Sequence, residues 1–120
     1  MIQSLIQETI GRAYIVYNEL GYGFLENIYE NALCYELDSI NHSYEQQYRI
    51  DVTYKGKDIG FYIPDLIIEH TLIIELKTCI EITSTHRLQL QNYLKATGIQ
   101  VGLILNFGPD GMFYKKVVHP

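Results

Sequence analysis

The chain reads as an α/β protein of the α+β kind, helices laid on a mixed β-sheet in the order α-α-β-β-β-α-β-β. Three observations carry this. Apolar residues from Ile2 to Leu20 recur with the 3.6-residue period of an amphipathic helix. Two apolar runs rich in β-branched residues, Phe61 to Ile68 and Leu72 to Leu76, flank the short break Glu69-His70-Thr71, as strands of a hairpin do. A further helical stretch separates that hairpin from the buried run Val101 to Phe107, so helices and strands are interspersed as in a mixed-sheet sandwich.

In the first helix Ile2, Leu5, Ile6, Ile10, Ala13, Val16, Tyr17 and Leu20 form the stripe, and Gly21-Tyr22-Gly23 stops it. A second helix is predicted from about Leu25 to Ile40, with Leu25, Ile28, Tyr29, Ala32, Leu33, Leu37 and Ile40 inward. Glu26 sits in its first turn, where it either offsets the helix dipole or adds an acidic group to the hairpin's cluster. After the turn Asn41-His42-Ser43, the segment Tyr44 to Tyr54 alternates as one half-buried strand, with Tyr48, Ile50, Val52 and Tyr54 on one side. Tyr54-Lys55-Gly56-Lys57 turns the chain back towards the hairpin. Pro64 cannot donate to a ladder, so its strand is peripheral or bulged there. Beyond Lys77, Ser84 or Thr85 can cap a third helix reaching about Thr97, with Leu88, Tyr93 and Leu94 inward and Gly98 at its end. Gly108-Pro109-Asp110-Gly111 then turns Val101–Phe107 into a last strand, Met112 to Val118.

Set into the apolar hairpin are three charged residues, Asp65, Glu75 and Lys77. An ionised group in a core strand costs several kcal/mol unless it is paired or metal-bound. Glu75 and Lys77 are two apart and share a face. A three-residue loop would set Asp65 across from Glu75, with Cβ atoms about 5 Å apart. Carboxylates that close must share a proton or a cation. A two-residue loop would turn Asp65 to the other face, and the loop lacks the glycine that would decide between them.

At 120 residues the chain is expected to be one domain, 1–120. Its longest apolar runs are too short to span a membrane, and the N-terminus lacks the marks of a signal peptide. Cys34 and Cys79 form neither a disulfide framework nor a zinc pattern, which fits a reduced, cytoplasmic protein. A net charge of −5 with scattered cations argues against duplex binding through a broad basic face. The eleven tyrosines serve equally as core fillers or surface stackers, so their number decides nothing.

Beyond the hairpin, Gln89 and Tyr93 form a Q-x-x-x-Y pair on the third helix. With Pro64-Asp65 and Glu75-Leu76-Lys77, this resembles the PD-(D/E)xK nuclease superfamily, and the Q-x-x-x-Y pair is similar to a motif of its RecB-like members. Gly23-Phe24-Leu25-Glu26-Asn27-Ile28-Tyr29 resembles the signature of the small bacterial GxxExxY branch, as do Asn92–Gly98 and Leu105–Gly108. One departure is Arg87, where that branch would carry an acid. The resemblance implies a restriction-endonuclease-like core. It also implies Mg²⁺ or Mn²⁺ held by Asp65, Glu75 and the carbonyl of Leu76, with Glu26 as the helix carboxylate. Lys77 would help deprotonate or orient a water for attack on a DNA phosphodiester, while Gln89 and Tyr93 position Lys77 or the phosphate. A chain this small would cover more DNA as a homodimer. The alternative is a catalytically silent module that keeps the fold and binds a protein partner; the acidic net charge favours it, and the intact charged set opposes it.

Overall fold

The computed structural model describes residues 1–119. Its elements are α1 (Ile2–Leu20), α2 (Glu26–Ser39), β1 (Tyr44–Gln46), β2 (Ile50–Tyr54), β3 (Lys57–Tyr62), β4 (Leu66–Ile68), β5 (Leu72–Lys77), α3 (Ser84–Thr97), β6 (Val101–Gly108) and β7 (Gly111–Val118). Strands β1-β4-β5-β6-β7 form one mixed sheet, in which β5 and β6 run parallel and the other neighbours antiparallel. Strands β2 and β3 form a hairpin of their own.

The sheet separates two cores. Leu72, Ile74 and Leu76 of β5 and Leu103, Leu105 and Phe107 of β6 face α1 and α2. Ile73 and Ile104, on the alternate positions, face Leu90, Tyr93 and Leu94 of α3. Gly102 lets α3 approach, because a Cβ there would stand 2.8 Å from Leu90 Cδ1. The Glu75 and Lys77 side chains therefore emerge on the α3 side, at the end of a strand whose other face is sealed in the main core.

Five strands precede α3, where the sequence led us to expect three. The expected strand Tyr44–Tyr54 breaks at Gln47, which adopts φ +54° and directs its N–H to the Asp65 carbonyl at 2.9 Å. Its first part joins the main sheet and its second part the separate hairpin. The run Phe61–Ile68 also divides, around Ile63-Pro64-Asp65, where proline leaves a gap in any ladder. The face of α2 is rotated from the expected one. Tyr29, Glu30, Leu33, Cys34 and Leu37 are buried, whereas Leu25 and Ile28 are exposed and Ile40 is only partly buried. On α3 the N-cap is Thr83, whose hydroxyl accepts from the His86 N–H, and Leu90 takes the buried place expected for Leu88.

Candidate active site

Register decides where Asp65 points. The turn after β4 closes with the Thr71 N–H on the Ile68 carbonyl at 3.0 Å, and Glu69 and His70 both take positive φ without any glycine. Leu66, Ile67 and Ile68 then face Ile74, Ile73 and Leu72, so one step further brings Asp65 opposite Glu75. The two residues clasp each other through the backbone. The Asp65 N–H donates to Glu75 Oε2 at 2.7 Å, and the Leu76 N–H donates to Asp65 Oδ2 at 2.8 Å. Glu75 is 5% exposed. Burial, and next the charge of Asp65, push its pKa up to about 8, against the pull of the Asp65 amide and Lys77. Lys77 is half-buried on the same face, close enough to depress His86, whose pKa is lowered first by burial and then by Lys77.

A further carboxylate joins from α2, and sequence reasoning missed it. Glu30 is 5% exposed and accepts from Gln46 Nε2 at 2.6 Å and Gln47 Nε2 at 2.9 Å. Gln47 also reaches Asp65 Oδ1 at 3.2 Å, so one amide bridges the two acids. Burial raises the Glu30 pKa, and Asp65 adds to the rise. Glu30 lies one turn beyond Glu26, which stays exposed at the start of α2. The loop before Glu26 is pinned by Tyr29. Its hydroxyl donates to the Gly21 carbonyl and accepts from the Phe24 N–H at 3.3 Å, and its ring stacks on Phe107 at 4.6 Å. Tyr29 thereby holds the Gly21–Phe24 turn against the core just before α2 begins.

From α3, Gln89 Nε2 donates to the Tyr93 hydroxyl at 3.0 Å. Burial, then Glu75 and Asp65, raise the Tyr93 pKa to about 12, so it remains a phenol beside the acids. Asn106, buried at the β6 position paired with Lys77, grips the next stretch of chain. Its Oδ1 accepts from the Cys79 N–H at 2.9 Å and its Nδ2 donates to the Cys79 carbonyl at 2.8 Å. The loop leaving β5 is thereby fixed just after Lys77.

A profile of the PD-(D/E)XK nuclease superfamily matches residues 3–117, nearly the whole chain. The chain belongs to that superfamily. Its fold is similar to that in the crystal structure of SSO0001, with a TM-score of 0.61 and 24% identity over 78% of this chain and 50% of that one. It is also similar to an alkaline exonuclease (LHK-Exo) from Laribacter hongkongensis, with a TM-score of 0.50 and 16% identity over 78% of this chain and 56% of that one. The chain thus spans only about half the length of these structures. No curated protein sequence matches it.

For a PD-(D/E)XK protein the question is whether these residues suit a divalent cation. Two carboxylates hold each other with backbone donors, and the inner one bears a raised pKa that a nearby cation would reverse. Mg²⁺ is commonly attached through one or two carboxylates while water and phosphate complete its shell, so the Asp65–Glu75 donor set fits. Among the described residues no group of three or more His, Cys, Asp or Glu converges on one point. Glu26 acts on Glu75 through its charge, raising it further, and forms no such cluster with Asp65 and Glu75.

Proposed function

We propose that the protein is a metal-dependent nuclease that hydrolyses DNA phosphodiester bonds at Asp65, Glu75 and Lys77. The observation carrying this reading is the reciprocal Asp65–Glu75 clasp beside Lys77, which keeps a costly buried acid where an apolar residue would be more stable. Asp65, Glu75 and the Leu76 carbonyl would hold Mg²⁺ or Mn²⁺. When bound, the cation supplies Lewis-acid polarisation of phosphate and water and offsets charge developing on the leaving oxygen. Lys77 donates to the attacking water or to a non-bridging oxygen. The Gln89–Tyr93 pair, as a neutral donor set, orients Lys77 or the scissile phosphate. Glu26 contributes its charge at the rim, and Glu30 steadies Asp65 through Gln47.

The charge distribution bears on the substrate. Residues 1–47 contain seven acidic residues and one cation, Arg12, while the rest of the chain is nearly balanced. The −5 of the whole therefore belongs largely to residues 1–47, of which Glu26 and Glu30 lie by the site itself. No helix among the described residues is long and apolar enough to cross a membrane. The two free cysteines accord with a reducing cytoplasm.

The alternative, a silent module bound to a protein partner, is favoured by the acidic net charge and by the lack, among the described residues, of a group of three metal-ligating side chains. Cleavage of plasmid and single-stranded DNA with Mn²⁺ or Mg²⁺ separates the two. Nuclease function requires that Asp65→Ala and Lys77→Ala abolish cutting; equal cutting by wild type and both variants would show that it comes from a contaminant.

A further inference from the structure

We infer that the β2–β3 hairpin is a gripping arm for single-stranded nucleic acid, delivering it to the Asp65–Glu75 site. The inference rests on the nuclease reading for its destination but not for its binding surface.

The hairpin is held at its root and bare along its length. Ile50 and Tyr62, the pair at the base, pack against the α3 core, and the Tyr62 ring meets the Tyr93 ring edge-on at 5.2 Å. Three residues after Tyr62 the chain arrives at Asp65, so the arm and the acidic site share a foundation. The six residues of β3 reach about 20 Å outward at strand spacing. Along the hairpin the apolar side chains face solvent: Tyr54 of β2 is 60% exposed, and Ile59 and Phe61 of β3 are 61% and 50% exposed. Ile59 is left out of the pairing by a bulge, because Val52 pairs with Gly60 while Thr53 pairs with Asp58.

The exposed rings are interleaved with cations. The Arg49 guanidinium lies 3.9 Å from the Phe61 ring centre, and Lys55 Nζ lies 5.4 Å from that of Tyr54. Lys57 pairs across the strand from Tyr54. Residues 48–63 hold three cations against two acids, Asp51 and Asp58, in a chain that is acidic overall; Arg49 is paired with Asp51 at 2.8 Å, which leaves Lys55 and Lys57 as the cations at the tip. Aromatic faces beside a few positive charges are what a single strand requires, because bases stack on the rings while the cations meet the backbone. A duplex keeps its bases stacked internally and depends on a broad basic face, which this chain lacks. Charge also sets the approach: the acid-rich α1–α2 side repels a polyanion, and the hairpin does not.

The test is fluorescence anisotropy of metal-free protein in EDTA, with one labelled oligonucleotide presented as a single strand and as a duplex. Wild type should prefer the single strand. Tyr54→Ala and Phe61→Ala should each weaken that binding roughly fivefold or more. The double variant Lys55→Glu/Lys57→Glu should flatten its salt dependence. Tyr54 is next to the tip, so its variant remains informative if Phe61→Ala loses its fold by circular dichroism. Unchanged binding in the Tyr54 and lysine variants overturns the inference. So does equal binding of duplex, or a dimer that these substitutions dissociate in sedimentation. Because cleavage is not needed, an inactive protein whose hairpin binds single strands would sink the nuclease reading alone. An active one with an indifferent hairpin would sink only this one.

Discussion

Replacing Glu75 by Gln should stabilise the metal-free protein, and the gain should depend on pH. Burial and Asp65 raise the Glu75 pKa from 4.5 to about 8, so the fold favours the protonated acid and opposes the ionised one. A carboxyl raised in the folded state leaves stability undiminished below its unfolded value, and stability falls as pH climbs towards the folded value. At about 1.4 kcal/mol per pH unit, the penalty is roughly 1 kcal/mol at pH 5, roughly 3 at pH 7 and close to 5 above pH 8. Gln reproduces the protonated acid: its Oε1 can accept from the Asp65 N–H, and its amide can donate to the Asp65 carboxylate. Urea unfolding in EDTA, followed by circular dichroism between pH 5 and 9, should show the variant and wild type nearly equal at the acid end. They should diverge steadily as pH rises from 5 towards 8, with a free-energy difference of roughly 3 kcal/mol at pH 7. A constant difference across the range, or a variant less stable at pH 8, would refute a strained carboxyl at this position.

Other substitutions probe the surroundings. Glu30→Ala should change stability by no more than about 1 kcal/mol, since the exposed Gln46 and Gln47 can turn to water, yet weaken Mn²⁺ binding roughly 10- to 100-fold by releasing Asp65; melting and metal titration check both. Gly102→Ala should cost about 1–3 kcal/mol in urea unfolding, because the new Cβ meets the fully buried Leu90. His42 joins Glu8 and Glu69 at 3.0 Å each; burial opposes its protonation, but the two acids win and raise its pKa. Its contribution is full below about pH 6.5 and fades as pH rises through the higher folded value, so His42→Gln should lose stability at pH 6 and little at pH 8.5.

The order of helices and the central hairpin were legible because their apolar periods are unbroken. The pairing of Asp65 with Glu75 was legible only as one of two registers. What settles it is a turn in which Glu69 and His70 adopt the left-handed region, a choice that neither residue advertises. The split of Tyr44–Tyr54 was hidden for the same reason, since nothing in Gln47 marks a positive φ inside an alternating run. Glu30 escaped notice because Leu25 and Ile28 compete for the inward face of α2, and burial of a lone carboxylate is ordinarily unfavourable. Its signal was the i, i+4 spacing from Glu26, which places two acids along one side of the helix.

Metal binding measured by titration calorimetry tests the site most directly. Mn²⁺ added to the wild-type protein should give a saturable heat that disappears in Asp65→Ala and Glu75→Gln while both variants remain folded. The same binding curve in all three proteins, or no binding by the wild type, would contradict a cation site built on these two carboxylates.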